Sequence, residues 1–206
     1  MAGKVFFSVS MSLDGFIAPG SDGELMGRQW MELQQWIFPT RFFRENLKLG
    51  GGGEQGRDDD IARATYARTG ASVMGRRMFD AGERMWPEEA PFHTAVHVVT
   101  HRRRDPWVRP GGTTFHFADD GIGPALDRAS EAAGDRDVRI AGGGGTILQY
   151  LDAGLVDEFS VALSPVLFGS GIRLFDGVDA GRVALEQVRA EPTGRVTHLT
   201  YAVRPR

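Results

Sequence analysis

Short apolar segments alternate along the chain with segments whose apolar residues recur at helical spacing. The apolar segments predict β-strands at residues 4–12, 71–75, 94–100, 113–118, 137–141 and 156–168. The amphipathic segments predict helices at residues 58–70, 76–85 and 121–134, and a short helix with Ile147, Leu148 and Leu151 on one side. Residues 182–191 and 195–204 alternate apolar and polar positions and are predicted to be antiparallel strands.

This order of elements indicates an α/β fold. We expect a mixed, mostly parallel sheet flanked by helices on both faces, with antiparallel strands at the C-terminal end. The whole chain, residues 1–206, is predicted to be a single domain, because its length suits one core. At about residues 20–58 an amphipathic segment is interrupted by Pro39 and followed by four glycines, so we interpret this part as an irregular flap or insertion.

Composition excludes several classes of function. The formal net charge of −3 gives no overall attraction to nucleic acid or anionic membranes, and no segment approaches the roughly 20 apolar residues of a membrane span. The absence of cysteine excludes disulfides, thiol nucleophiles and thiolate metal sites. The histidines are scattered, and those four residues apart lie on a predicted strand that holds their side chains well apart, so no metal site is expected. We expect a cytoplasmic protein that acts on a small molecule.

Four glycines, Gly142 to Gly145, stand between the strand at residues 137–141 and the short helix that follows. Glycine permits a tight turn, and it also lets a ligand approach the backbone closely. The N–H groups at a helix N-terminus bind anions without any charged side chain. The segment does not match the G-x-G-x-x-G fingerprint, because Ile147 stands where the last glycine belongs, and it lacks the ending of a P-loop. A phosphate cradle and a simple turn are therefore both open on this segment alone.

Two further strand ends carry positive charge. Arg76 and Arg77 begin the helix after Gly75, where they repel the positive end of the helix dipole unless an anion binds there. The strand at residues 94–100 is followed by the basic run His101 to Arg104. Ligands of open α/β sheets bind beyond the carboxyl ends of the strands. The three junctions together predict a nucleotide site at that edge.

Four motifs resemble the dihydrofolate-reductase-like family, in particular its branch similar to the reductase domain of the bifunctional riboflavin-biosynthesis deaminase/reductase. The motifs are SMSLDGFIA, VMGRRMFD, VVTHR and RIAGGGGTILQYLDAGLVDEFSVALSPVLFGSG, and they extend from about residue 8 to about residue 175. The resemblance implies a dihydrofolate-reductase-like fold and a homodimer. It also implies hydride transfer from NADPH to a ring C=N bond or to an open ribose-derived aldimine.

The resemblance assigns expected roles to residues of all these motifs. Ser10 and Ala18 would flank the nicotinamide. The residues expected to face the phosphates are Gly75, Arg76 and Arg77, and those expected to hold the adenosine 2′-phosphate, which favours NADPH over NADH, are Thr100, His101 and Arg102. The pyrophosphate and nicotinamide loop would consist of Gly142, Gly143, Gly144, Gly145 and Thr146, with a cis peptide bond between the first two.

The chain also departs from the family pattern. Met78 stands where the family often has threonine or serine, so one hydroxyl contact to phosphate is missing. Phe16 replaces the lysine usual in riboflavin-type reductases, which removes a cation suited to a phosphorylated sugar. The zinc site of the deaminase half requires cysteine ligands, which this chain lacks.

Hydride transfer to a C=N bond also requires a proton for the substrate nitrogen. In folate-type members of the family, an acid on the helix before the strand of the second motif assists protonation of the substrate. Counting back from Gly75 places Asp59 nearest that position, with Asp58 and Asp60 beside it. All three acids also suit the N-terminal turn of a helix, where they cap it and interact favourably with its dipole. Asp59 is therefore a candidate catalytic residue with a structural alternative.

These observations leave three hypotheses for function. The leading one is an NADPH-dependent reductase of a small heterocyclic substrate, pterin-like or pyrimidine-like. An alternative is reduction of 5-amino-6-(5-phosphoribosylamino)uracil in riboflavin biosynthesis, which predicts a phosphate pocket near residues 12–16. A third hypothesis, of a different class, is a catalytically idle nucleotide-binding module that has kept the cofactor loop.

Overall fold

A twisted sheet with helices on both sides forms the computed structural model, which describes residues 3–20 and 25–205. The strands in this part of the chain are β1 Val5–Ser12, β2 Phe16–Ala18, β3 Thr69–Gly75, β4 Ala95–Val99, β5 Trp107–Val108, β6 Thr114–Ala118, β7 Asp137–Gly142, β8 Glu158–Ser164, β9 Ile172–Arg173, β10 Val183–Pro192 and β11 Thr197–Pro205. The α-helices are α1 Arg28–Leu33, α2 Arg41–Asn46, α3 Arg57–Arg68, α4 Arg76–Glu83, α5 Ile122–Ala133 and α6 Gly144–Asp152.

The central sheet is mixed and mostly parallel. Its strand order is β10-β11-β8-β1-β7-β3-β4-β6-β5, and the six strands from β8 to β6 pair in parallel. β10 and β11 form an antiparallel pair beside β8, while β5 runs antiparallel to β6. The expected single α/β domain with antiparallel C-terminal strands is confirmed. The two-residue strands β5 and β9 were not predicted, because so short a segment has no measurable periodicity.

Helices cover both faces of the parallel part of the sheet. Along β7, Val138 and Ile140 join the larger core with residues of α5 and α6. Successive residues of a strand point to opposite faces. Arg139 and Ala141 therefore point to the other face, where Arg139 lies against Tyr66 of α3 and Ala141 packs with the cluster that contains Phe79 of α4. This second face carries the candidate site.

The segment expected to be a flap contains two short helices. Residues 21–24 lie outside the described part of the chain, and α1 and α2 follow with Pro39 between them. Thr40 caps α2, since its side chain accepts a hydrogen bond from the N–H of Phe43 at 3.1 Å. Gly53, with φ of +100°, ends the glycine loop where any side chain would overlap the backbone of Arg41. The loop therefore packs against the start of α2.

The boundary between α3 and β3 differs from the prediction, which placed Gly70 at the end of the helix. The helix ends at Arg68, and Gly70 is the second residue of the strand. A Cβ atom at Gly70 would lie 2.7 Å from the carbonyl oxygen of Ala133, at the end of α5. Glycine is needed here because α5 packs closely on β3, and this packing was mistaken for a helix C-cap.

A buried histidine pair lies on the face of the sheet away from the candidate site. His97 on β4 stacks on His116 on β6, with ring centroids 5.1 Å apart, and neither ring nitrogen of His97 has a hydrogen-bond partner in the described chain. Burial, together with the smaller effect of the charges of His116 and Arg128, lowers the pKa of His97 to about 4. The imidazole is therefore neutral when the protein is folded near neutral pH.

The depressed pKa of His97 predicts an acid-sensitive fold. As pH falls from 6.5 to about 4, the unfolded chain binds a proton that the folded chain does not bind, so the free energy of unfolding decreases. The slope is at most about 1.4 kcal/mol per pH unit. We expect His97→Phe to flatten this slope in denaturant titrations at several pH values. His101→Gln, at an exposed histidine, should leave the slope unchanged, and an unchanged slope in H97F would contradict the assignment.

Candidate active site

Four loops meet at one edge of the sheet because the strands before them are neighbours and run parallel. β1, β7, β3 and β4 are adjacent in that order, so their carboxyl ends lie side by side. The loops after them surround a cleft of about 1230 Å³. Pockets for one drug-sized ligand occupy roughly 300–1,000 Å³, so this cleft is larger than such a pocket usually is.

All the residues expected to bind the cofactor line this cleft. They are Ser10, Ala18, Gly75, Arg76, Arg77, Thr100, His101, Arg102, Gly142, Gly143, Gly144, Gly145 and Thr146. Asp59, the expected proton donor, does not line it. The structure therefore brings together residues that are up to 136 positions apart in sequence, counting from Ser10 to Thr146. Their roles toward a cofactor stay predictions.

The glycine loop joins β7 to α6 with an open backbone. The peptide bond between Gly142 and Gly143 is cis, as the family resemblance implies, and Gly142 has φ of +128°. No side chain caps the N-terminus of α6. A Cβ atom at Gly143 or Gly145 would meet nothing within 4 Å, so packing within the chain does not require glycine at either position. The loop presents N–H groups of the first helical turn to the cleft, which suits a phosphate group.

The loop after β3 touches the glycine loop. Any Cβ atom at Gly75 would overlap Oγ1 of Thr146, so glycine is required at this close approach. Gly75 is also the N-cap of α4, and no side chain caps that helix either. Two uncapped helix N-termini therefore stand next to each other at the same edge of the sheet. Their dipoles both favour negative charge between them.

The two arginines at the start of α4 differ in their surroundings. Nε of Arg76 donates to Oδ1 of Asp80 at 2.6 Å, one turn along the helix, and the guanidinium lies 5.7 Å from the ring centroid of Phe79. Arg77 donates to the carbonyl oxygen of Gly20 at 3.3 Å. We predicted that both charges are out of place unless an anion binds. The structure shows that Asp80 compensates the charge of Arg76 within the helix.

The loop after β4 is shaped by a buried threonine. The N–H of Thr100 donates to the carbonyl oxygen of Ala118 at 3.0 Å, which continues the β4–β6 pairing. Oγ1 of Thr100 accepts the N–H of Arg102 at 3.1 Å, which turns the chain. His101 and Arg102 are exposed beyond this turn and line the outer part of the cleft. A basic loop so placed suits a phosphate at the far end of a bound dinucleotide.

Ser10 links β1 to the segment that follows α1. Its Oγ donates to Oε1 of Gln34 at 3.1 Å and accepts the indole N–H of Trp36 at 2.8 Å. Gln34 and Trp36 also line the cleft, and the sequence argument did not assign either of them to the site. Trp36 lies in the amphipathic segment before Pro39, which was predicted only as part of an irregular flap or insertion. No local signal links it to a serine 26 residues earlier.

Asp59 does not line the cleft, and its carboxylate instead contacts α2. Its Oδ1 accepts the N–H of Phe42 at 2.5 Å in the first turn of α2, and Oδ2 lies 3.5 Å from Arg63. From α3, the side that faces the cleft carries Ala62, Thr65 and Tyr66. The proposed role of Asp59 as proton donor is therefore corrected: the carboxylate caps α2 from a neighbouring helix.

The neighbouring acids are also held away from the cleft. Asp58 accepts from Nε2 of His198 at 2.8 Å, and the His198 ring packs edge-on against Trp36 with centroids 4.8 Å apart. Asp58 does not line the cleft. Asp60 lies 3.6 Å from Arg57 on the surface. In the described chain, the carboxylates that line the cleft are Asp80 and Asp119.

The inner end of the cleft, beside β1 and α3, is walled by aromatic and apolar side chains. They include Trp30, Trp36, Ile37, Phe38, Phe43 and Tyr66. Such walls suit a flat ring system. Across residues 3–20 and 25–205, no group of three or more His, Asp or Glu side chains is arranged to hold a metal ion. In the same part of the chain, no helix is both long and apolar enough to cross a bilayer.

Solved structures share this fold. A protein named for riboflavin biosynthesis from Shewanella sp. PV-4 is 22% identical, with a TM-score of 0.65 over 98% of this chain and 99% of that chain. Dihydrofolate reductase from Enterococcus faecalis, in complex with NADP(H) and RAB-propyl, is 15% identical, with a TM-score of 0.55 over 98% of both chains. A search of curated protein sequences gives no significant match.

A third similar structure belongs to a longer chain. The diaminohydroxyphosphoribosylaminopyrimidine deaminase/5-amino-6-(5-phosphoribosylamino)uracil reductase of Thermotoga maritima is 15% identical, with a TM-score of 0.59. The match covers all of this chain but 57% of that chain. At these identities the likeness establishes the fold alone, which is that of the dihydrofolate-reductase-like class. The RibD C-terminal domain model matches residues 3–199, and the chain belongs to that family.

The contact between Gly75 and Thr146 can be tested by a double-mutant cycle. Gly75→Ala should lower the free energy of unfolding by about 1–3 kcal/mol, because the new methyl group overlaps the threonine hydroxyl. Adding Thr146→Ala removes that hydroxyl and should recover most of the loss in chemical denaturation. Strictly additive effects of the two substitutions would show that the loops do not touch as described.

Proposed function

We propose that this protein is an NADPH-dependent reductase that transfers a hydride to a small heterocyclic substrate, pterin-like or pyrimidine-like. The observation that carries the proposal is the pair of uncapped helix N-termini, at Gly75 and Gly143, which face one cleft together with the basic loop at residues 100–102. The helix N-termini suit the pyrophosphate of a dinucleotide, and the basic loop suits a phosphate at its adenosine end. Membership of the RibD C-terminal domain family supports the same reading.

In this proposal the pyrophosphate lies between the N-termini of α4 and α6. The N–H groups of Gly144 and Gly145 bind its oxygens, and Arg77 adds positive charge at the rim. Thr100 holds the loop that carries His101 and Arg102 toward the adenosine 2′-phosphate. A guanidinium binds a phosphate through several donors at once, which suits this discrimination. NADH lacks that phosphate and should bind more weakly.

The nicotinamide lies at the inner end of the dinucleotide, between the glycine loop and the end of β1. Ser10 and Ala18 flank it, and the contacts of Ser10 with Gln34 and Trp36 keep that wall rigid. When bound, NADPH supplies the hydride. The aromatic side chains hold the acceptor ring against the cofactor and exclude water, which is most of what hydride transfer requires of a protein.

The proton for the substrate comes from water in this proposal. Asp80 is paired with Arg76, and Asp119 is paired with Arg103 at 2.5 Å, so neither carboxylate of the cleft is placed as a donor. Asp59 is turned toward α2. The protein therefore contributes positioning and electrostatics, and not a dedicated carboxylic acid.

The riboflavin-type substrate is less well supported than a non-phosphorylated ring. It would require a phosphate pocket near residues 12–16. There the Asp14 carboxylate accepts hydrogen bonds from the hydroxyl of Ser12 and the N–H groups of Gly169 and Phe168, which lower its pKa to about 2. The Asp14 carboxylate is negatively charged at neutral pH with or without this shift, and it repels a phosphate that approaches it. The buried ring of Phe16 replaces the lysine that would attract one.

The cofactor assignment predicts selective loss of NADPH binding in an arginine variant. Arg102→Ala should weaken NADPH binding about tenfold or more, because it removes a charge-assisted hydrogen bond, and should change NADH binding less than twofold. Arg103→Ala is the matched control, since the neighbouring Arg103 pairs with Asp119 and does not line the cleft. Fluorescence titration with both nucleotides measures the effect. Equal wild-type affinity for NADPH and NADH would overturn the 2′-phosphate assignment.

Turnover separates a reductase from an idle module. We expect absorbance at about 340 nm to fall when NADPH and oxidised pterins or pyrimidinones are supplied together, and not with either alone. Tight NADPH binding without consumption across such a panel would favour the idle nucleotide-binding module.

The homodimer implied by the family resemblance remains a proposal beside this one. The exposed strand β10, with Leu185 and Val188 at the surface, is the face we expect it to use.

A further inference from the structure

One arginine lies in the inner half of the cleft without a counter-charge. Arg139 stands in the middle of β7, three residues before the cis peptide bond, and its side chain points to the face that carries α3. It lines the cleft together with Ser8, Thr65 and Tyr66. Arg139 lies on the strand itself, before the glycine loop, and not at the helix N-termini that are proposed to bind the cofactor phosphates.

The contacts of Arg139 leave much of its hydrogen-bonding capacity unused. Nη2 donates to the carbonyl oxygen of Ser8 at 3.3 Å, and the guanidinium lies 5.1 Å from the centroid of the Tyr66 ring. Nε is buried and has no hydrogen-bond partner in the described chain. A guanidinium carries five N–H donors and is always charged. An unmatched charge in a partly buried place is costly unless a partner arrives.

No acidic side chain of the described chain forms an ion pair with Arg139. Of the acids that line the cleft, Asp80 and Asp119 are paired with other arginines. Arg68 on the same face makes the contrast clear. It is held by Asp137 at 2.5 Å and by Glu158 at 2.6 Å. Two carboxylates thus compensate the charge of Arg68, whereas Arg139 has no carboxylate partner in the described chain.

We infer that Arg139 binds a negatively charged oxygen of the substrate, such as the carboxylate of a planar aromatic acid. This inference rests on the proposed function and specifies its substrate class. The ring lies along Tyr66 and the aromatic wall, and the anionic oxygen reaches the guanidinium on the floor of the cleft. Charge-assisted hydrogen bonds from arginine to carboxylate are among the strongest that proteins make. Arg139 is thus a specificity-determining residue at the substrate end of the site.

The test compares an acid with its amide, which have the same shape but different charge. 2-Naphthoate and 2-naphthamide are titrated calorimetrically into the protein, with and without saturating NADPH. The wild-type protein should bind the acid at least tenfold more tightly than the amide. Arg139→Met should bring the two affinities within about twofold of each other by weakening the acid alone. Arg139→Lys, which keeps the charge but loses the fork, should retain part of the preference.

The control is Arg136→Met, which removes an exposed arginine outside the cleft and should leave the preference unchanged. Equal affinity of the wild-type protein for acid and amide would overturn the inference, because water would then satisfy Arg139. A preference that survives in R139M would overturn it as well. If R139M does not fold, the wild-type comparison and R139K still decide. Failure of NADPH to bind would reject the proposed function, while the titrations without nucleotide would still test Arg139.

Discussion

The parallel pairing of β1, β7, β3 and β4 is the constraint on which the candidate site depends. Parallel neighbours end at the same edge, so the loops after them meet whatever the length of chain between them. Where a helix begins directly after a strand or one residue later, the N-terminus of the helix lies at that edge of the sheet. This happens at Gly75 and at Gly143, and neither helix has a side-chain cap. The first N–H groups of an α-helix have no partner within the helix, so at these two N-termini they are open to a ligand in the cleft.

One face of these strands packs in the hydrophobic core, and the other face lines the cleft. On one face β7 contributes Val138 and Ile140 to a dry core, and on the other it contributes Arg139 to the floor of the cleft. β1 does the same, with Phe7 in the core and Ser8 and Ser10 on the cleft side. Because successive residues point to opposite faces, the same strands are held in place by the core on one side and provide polar side chains to the cleft on the other. The aromatic side chains from α1, α2 and α3 complete the cleft over this floor.

Local sequence patterns predicted most helices and strands and the strand–glycine–helix junctions. They did not predict features of the site that depend on contacts between residues distant in sequence. Strand–glycine–helix junctions are short, so Gly75 and the glycine loop were recognisable from sequence. The choice of Asp59 failed because a spacing along the chain does not fix which side of a helix faces the cleft. The links from Ser10 to Gln34 and Trp36 depend on how α1 folds over β1, which no local pattern encodes. Arg139 was indistinguishable from any alternating polar residue of a strand.

The central claim is that the two helix N-termini bind one dinucleotide together. Amide hydrogen exchange, followed by NMR during titration with NADPH, tests it most directly. The account predicts that the N–H groups of Gly144 and Gly145 and those of residues 76–78 gain protection together, with the same dependence on NADPH concentration. Protection at only one of the two helices, or at neither while NADPH binds elsewhere, would contradict it.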